Sequence, residues 1–362
     1  VQDHKHNRVV VIGAGIVGAS LAYNLSRKGA QVTLLDAGDI ACGVTGTSFA
    51  WINVSHAGVD PIAQLRSLAV NEFRRLEVEV PDLNIRWTGA LTYGTSPEET
   101  LQASGNNTTE NVLTRTQVLA IEPNLKHPPE FALYDAQVGA VDAVQTTHAL
   151  IAAAKAQGAN VLTHTQVLGF TTLNARVTGL NTAAGNIDAD LVVIAAGTGT
   201  KQLTDMLDVS LPIEESPAIF IRYKAPANLV HSIISSPAME VRQDADGALL
   251  AAEDYLGDAL EHQPEAVALR TTKAIQEQLH GADSLETAIG LCRAETISRR
   301  WHSHCRLLAK CQRCLCLHDA PWRNPRPDRW PSCQRRDTGR KGGTRPQPLP
   351  PRQVLQTLVG AG

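Results

Sequence analysis

Four residues, Gly13, Gly15, Gly18 and Asp36, have the types and spacing needed to hold a dinucleotide. A glycine at the first position permits a tight turn, one at the second lets a pyrophosphate approach the backbone, and one at the third lets a helix pack closely on a strand. Between them, Ala14 and Ile16 present small or apolar side chains and their backbone N–H groups. N–H groups at a helix start, with the positive end of the helix dipole, attract phosphate oxygens. An acid about 20 residues on, here Asp36, can accept hydrogen bonds from ribose hydroxyls.

That chemistry requires a strand, a turn, a helix and a second strand in fixed order. Val9–Ile12 is a short β-branched run suited to a buried parallel strand, and Gln31–Leu35 supplies the second, ending at Asp36 and Ala37. A tight strand-to-helix turn without a ligand would share the glycines but has no need of the acid in register. The pattern does not choose between NAD and FAD.

The following segments narrow the choice. Ala37–Asn53, AGDIACGVTGTSFAWIN, is rich in small and hydroxyl residues, and Asn186–Thr200, NIDADLVVIAAGTGT, is a second apolar strand ending in Ala-Ala-Gly. The chain thus returns to the nucleotide sheet after a long excursion. This interleaving resembles the glycine/D-amino acid oxidase family of flavoproteins (DAO family, with D-amino acid dehydrogenases). The resemblance runs from Val9 to Leu291 and includes Arg115–Leu125, Gly139–Phe170 and Met239–Tyr255. It implies an α/β fold, with a Rossmann-like FAD-binding domain interleaved with an α+β substrate domain built on a mostly antiparallel sheet. It implies FAD as cofactor and oxidation of the CH–NH bond of an amino acid or secondary amine. Thr45–Ser48, with Trp51 and Asn53, matches the family segment that approaches the flavin ring and ribityl chain. Val167 matches a strand that offers backbone bonds to adenine, and Ala196 and Gly197 the segment near the phosphates.

On this reading residues 1–55 and 141–210 form the FAD-binding domain, and 56–140 and 211–291 the substrate domain. Asp60-Pro61 opens a helix over Ile62–Val80, with Leu65, Leu68, Ala69, Phe73 and Leu76 on one face and Pro81 ending it. Arg86–Gly94 reads as a strand, and Glu98–Ile121 as partly helical around a polar loop at Ser104–Thr109. Asp142 can cap a helix closed by Gly158, after which Asn160–Thr163 rejoins the nucleotide sheet. Strands are expected over Thr165–Leu180, Asn186–Ile194, Ala218–Tyr223, Ser232–Ser235, Met239–Arg242, Ala248–Ala252 and Ser284–Leu291, and a helix over Gln263–Leu279.

An amino acid substrate needs a cation for its carboxylate, preferably an arginine fork. Arg222 and Arg242, on strands of the substrate domain, are the candidates; an exposed strand arginine is the plain alternative for each. Tyr223 and Tyr255 are candidates to close the pocket, against ordinary packing. His56, His148 and His164 are scattered without metal-ligand spacing, so no metal site is expected.

The net charge of −3 conceals two unlike parts. Residues 1–291 carry 18 Lys+Arg and 32 Asp+Glu, whereas residues 292–362 carry 15 and 4, with six of the seven cysteines. A basic arm suggests nucleic acid, and Cys311, Cys314 and Cys316 suggest a metal. Both signals have another origin if the tail is read one base late. Trp301 and Trp322 then become glycine of necessity, because every TGG is followed through GG. Arg299–Arg306 admits ADGIPIVG, and Cys311–Pro327 admits VSGVYVCMTHHGVTLAP. Both resemble family segments that complete the FAD domain. A frameshift near residues 292–295 is therefore expected, with a disordered tail and no nucleic-acid partner. The polar start VQDHKHNR shows no secretory signal, and no apolar run suits a membrane span, so a cytoplasmic protein is expected. The electron acceptor is not legible. Two other readings stay open: another flavin or NAD(P) oxidoreductase on the same fold, and a catalytically dead frameshifted product.

Overall fold

A computed structural model describes residues 7–53, 61–103, 110–211, 213–257, 259–298 and 314–316. The chain divides into two units, Val1–Arg323 and Asn324–Gly362, and all described residues belong to the first.

The chain begins as the glycine spacing requires. Strand β1 (Arg8–Ile12) leads through Gly13–Gly15 into helix α1 (Ile16–Arg27), and β2 (Gln31–Leu35) follows. After a 3-10 turn at Val44–Thr47, β3 (Trp51–Ile52) carries the chain away toward α2 (Pro61–Glu79). Then come β4 (Ala90–Thr92), α3 (Pro97–Ala103), β5 (Glu110–Thr114), α4 (Arg115–Ile121) and β6 (Phe131–Asp135). Strand β7 (Gly139–Ala140) brings the chain back beside β3, with Trp51 opposite Ala140. Helix α5 (Ala143–Ala156) is capped by Asp142, whose carboxylate accepts from Gln145 N at 2.8 Å, and β8 (Asn160–Leu162) then pairs with β2.

Three antiparallel strands, β9 (Val167–Leu173), β10 (Arg176–Thr182) and β11 (Gly185–Asp188), precede β12 (Leu191–Ile194) and the short helix α6 (Thr200–Asp205). The substrate-domain strands β13 (Ile213–Lys224), β14 (Ile233–Ser235), β15 (Glu240–Gln243) and β16 (Leu249–Asp254) lead to α7 (Pro264–Gln278) and β17 (Glu286–Ser298). The last described strand is β18 (Cys314–Cys316).

The nucleotide sheet is parallel throughout, in the order β18-β12-β1-β2-β8. Its middle strand is buried on both faces, which explains the uninterrupted β-branched run. Val9 and Val11 pack with α1, α5 and Leu76 on one side; Val10 and Ile12 pack against β9–β10 on the other. The second sheet, β17-β13-β16-β15-β14-β4-β6-β5, is antiparallel except where β14 runs parallel to β4. Ile219, Ile221, Tyr223, Leu249 and Ala251 point from one face of it onto Val267, Ala268 and Ile275 of α7.

Four expectations need correction. Leu76 is buried, but Leu65 and Leu68 are each 59% exposed, so the apolar stripe of α2 meets the core only at its C-terminal end. Arg86–Gly94 is a strand only at Ala90–Thr92, with Arg86 making an isolated bridge to Ala140. The stretch Glu98–Ile121 contains β5 as well as helix, because Glu110–Thr114 pairs along β6; residues 104–109 lie outside the described residues. Of the tail expected to be disordered, residues 292–298 continue β17 and Cys314–Cys316 pair in parallel with Val192–Ile194. Residues 299–313 and 317–362, with most of the proposed frameshift, lie outside the described residues, as does His56.

Candidate functional site

The carboxyl ends of β1, β2 and β12 meet at the glycine turn, the position where open α/β sheets bind ligands. Gly13 adopts φ +110°, and a β-carbon there would sit 2.2 Å from the Ala195 carbonyl oxygen. The turn therefore needs glycine both for its backbone angle and for the approach of β12. Gly15 caps α1 without a side-chain bond, and a β-carbon on it would point at Thr45 Oγ1, 3.0 Å away.

Asp36 is drawn into this turn. Its Oδ2 accepts from Ala14 N at 2.6 Å and its Oδ1 from Gly38 N at 2.8 Å. Each carboxylate oxygen retains a lone pair after one such bond, so ribose hydroxyls still find acceptors there. Ala37 beside it is exposed.

Thr45 is buried in the 3-10 turn, and its hydroxyl accepts the Ile16 N–H at 3.1 Å. One amide counted on for phosphate is therefore already paired, and Thr45 acts first as the side-chain partner of the helix start. The Ser48 hydroxyl accepts from Ala50 N at 3.1 Å and shapes the loop into β3. On the opposite flank, Ala196 opens the turn Gly197–Gly199, and nothing would meet a β-carbon on Gly197 within 4 Å. Val167 has a buried side chain on β9, an edge strand with one backbone edge unpaired by β10.

These residues fit FAD. The glycine turn is bare of side chains, Asp36 keeps acceptor capacity, and the Gly197 flank is open. In addition, Trp51 Nε1 and Thr200 Oγ1, in the segments following the two flanks, are buried without partners among the described residues. Unpaired buried polar atoms of this kind mark places where a polar group belongs.

The four candidate substrate residues do not gather in one place. Arg222 and Arg242 both pair across Leu250, which puts them on one face of the large sheet. Tyr223 follows Arg222 by one residue and so points to the other face. It is completely buried there, with its hydroxyl against Thr272 Oγ1 at 3.3 Å, and burial pushes its pKa up to about 12. Tyr255 packs against the same apolar cluster. Tyr223 is thus placed among the packing residues on the α7 side, and Tyr255 lies partly buried against the same cluster.

Arg242 is 3% exposed, and each of its three guanidinium nitrogens makes a hydrogen bond. Its Nε donates to Phe49 O at 2.7 Å, Nη2 to Val141 O at 2.9 Å, and Nη1 to Asp244 Oδ1 at 3.3 Å. Burial lowers its pKa, opposed by Asp244. The structure places it as a clamp on the Phe49 and Val141 backbone carbonyls. Arg222 is half-exposed and ion-paired with Asp246 and, at 3.8 Å, with Asp244. Sequence reasoning missed Arg86, whose Nη1 donates to Gln243 O at 2.6 Å, and Asp244, which joins both arginines. The spacing Arg242-x-Asp244 was the available signal. Among the described residues no cluster of His, Cys, Asp and Glu could hold a metal ion. No described helix is long and apolar enough to cross a membrane.

A parallel nucleotide sheet with a glycine turn, joined by two paired strands to a large, mostly antiparallel sheet, is the architecture of a dinucleotide-binding oxidoreductase. Residues 8–307 match the DAO family, FAD dependent oxidoreductase, and the chain belongs to that family. It is 27% identical over 297 residues to glycine oxidase of Pseudomonas putida, covering 75% of this chain and 77% of that protein. It is 26% identical over 229 residues to monomeric sarcosine oxidase of a Bacillus species, covering 58% and 56% respectively, so the match spans about half of that enzyme. Among solved structures, L-amino acid deaminase of Proteus vulgaris superimposes with TM-score 0.74 at 17% identity, covering 88% and 86%. Glycine oxidase of Bacillus cereus gives TM-score 0.71 at 19% identity, covering 87% and 89%. At those identities the structural likeness establishes the fold.

Proposed function

We propose that this FAD-dependent oxidoreductase oxidises the CH–NH bond of a small amino acid or secondary amine. The observation that carries the reading is the crossing of β3 and β7. These strands run from the segment after the Gly13–Asp36 turn to Arg242 on the arginine-bearing face of the large sheet, so a dinucleotide held at the turn would extend toward that face. The similarity to a glycine oxidase and a sarcosine oxidase supports an amino acid or N-methyl amino acid as substrate.

Bound FAD supplies acceptance of a hydride from the carbon next to nitrogen. The chain's own residues bind and orient. Gly15 and the first-turn amides beyond Ile16 would hold the pyrophosphate, Asp36 the ribose, and Gly197 the opposite flank. Ser48 sets the loop approaching the flavin, and Val167 offers its backbone to the adenine. For the substrate carboxylate, Arg222 is the better cation, because its partner Asp246 is exposed and such pairs hold weakly. The experiment is anaerobic titration of the flavin-loaded protein with glycine, sarcosine, D-amino acids and, separately, NAD(P)H. Bleaching by an amino acid supports the reading; bleaching by NAD(P)H alone replaces it with a different oxidoreductase.

We also propose that the chain leaves the ancestral reading frame near residues 292–295. Strand β18 supports this: the shifted reading of Cys314-Leu315-Cys316 admits Val-Tyr-Val, a better strand for its place beside β12.

A further inference from the structure

We propose that Arg242 is a positioning residue that fastens the paired crossing strands β3 and β7 to the substrate sheet. In doing so it fixes the loop carrying Ser48 relative to the substrate face.

The strands concerned are short. β3 and β7 pair over only two residues each, and Val141 N extends the ribbon by donating to Ala50 O at 3.2 Å. So short a ribbon has little stability alone. It nevertheless carries both chain passages between the nucleotide sheet and the segment from α2 to β6.

Arg242 binds the ribbon at its open end, where the carbonyls of Phe49 and Val141 lie on the two different strands' flanks. The guanidinium also lies 5.4 Å from the Phe49 ring centroid. Arg86 makes a second stitch: its backbone exchanges hydrogen bonds with Ala140 at 2.9 Å in each direction, while its side chain reaches Gln243 O on β15. Thr45, four residues before Phe49, is bonded to Ile16 N at the start of α1. A path of two hydrogen bonds joined by the backbone from Thr45 to Phe49 therefore connects the nucleotide turn to Arg242 on β15. Only a planar fork with several donors satisfies acceptors arranged around one buried side chain; a lysine offers a single point charge.

The inference rests on the flavin–amine reading for what is being positioned, but not for the clamp itself. The test is hydrogen exchange on the full chain and on Arg242→Lys and Arg242→Met, with far-UV dichroism checking the fold. The amides of Ala140 and Val141 are expected to exchange about tenfold faster in both variants, given the worth of bonds to a charged donor, while residues 13–18 stay unchanged. Unchanged exchange in the ribbon overturns the clamp.

On flavin-loaded protein, kcat is expected to fall alike for an N-methyl amino acid and for a matching amine without a carboxylate. A large rise in KM confined to the carboxylated substrate would instead make Arg242 its ligand and overturn the proposal. If the written chain takes up no FAD, the kinetic comparison is made on the frame-restored chain; absence of flavin from both defeats the functional reading, and exchange still decides the clamp.

Discussion

Gly18 lies against Gly13 so closely that a β-carbon on it would meet the Gly13 carbonyl oxygen at 1.8 Å. The contact is backbone to backbone, so no side-chain rotation relieves it. Gly18→Ala should push α1 off β1, and overpacking of this kind costs about 1–3 kcal/mol or more. Urea unfolding should show a lowered midpoint, and FAD affinity should fall in parallel. A variant as stable as the parent would mean that the turn relaxes freely.

Asp36 works at two levels. Asp36→Asn keeps one acceptor but removes the charge that strengthens the bonds to Ala14 and Gly38 and to ribose hydroxyls. FAD affinity should drop about tenfold or more, read by quenching of flavin fluorescence. Unchanged affinity would place the ribose elsewhere.

Thr45 separates helix capping from cofactor contact. Thr45→Val removes the acceptor for Ile16 N and should cost about 1 kcal/mol in thermal or denaturant unfolding, whereas Thr45→Ser should cost little. If both variants behave alike, the hydroxyl does not hold the helix start.

Tyr223 makes a prediction in pH. Its folded-state pKa is raised to about 12 by burial, against an ordinary value near 10. Below the unfolded value both states are protonated and its contribution is whole. Between the two values the unfolded chain gives up the proton while the folded one keeps it, so stability falls as pH rises and the contribution is lost through the folded pKa. The loss should be about 3 kcal/mol at most. Tyr223→Phe should flatten that part of the stability curve and leave kcat and KM unchanged; altered kinetics would return Tyr223 to the pocket.

The nucleotide half was legible because its chemistry is local. Gly13, Gly15, Gly18 and Asp36 fall within one strand–helix–strand unit, where backbone geometry follows from residue type. Asp142 and Gly158 likewise mark the ends of α5 by their own side-chain chemistry or lack of one. Arg242 was not legible, because its partners Phe49 and Val141 are 193 and 101 residues away in sequence. Strand periodicity says that Arg222 and Tyr223 face oppositely, but only the register of β13, β16 and β15 says which face α7 covers. For the same reason Leu65 and Leu68 gave a sound helix and the wrong buried end: periodicity names a face and not what packs on it.

The central claim is that residues 8–307 are built to hold FAD and present it to an amine. The most direct test is the visible absorption spectrum of the purified chain, beside a version with the frame restored after residue 293, before and after anaerobic addition of an amino acid. The account predicts oxidised flavin in the restored chain, bleached by the amino acid, with little flavin in the chain as written. Stoichiometric flavin in the written chain would contradict the reading of the tail, and absence of flavin from both would contradict the claim itself.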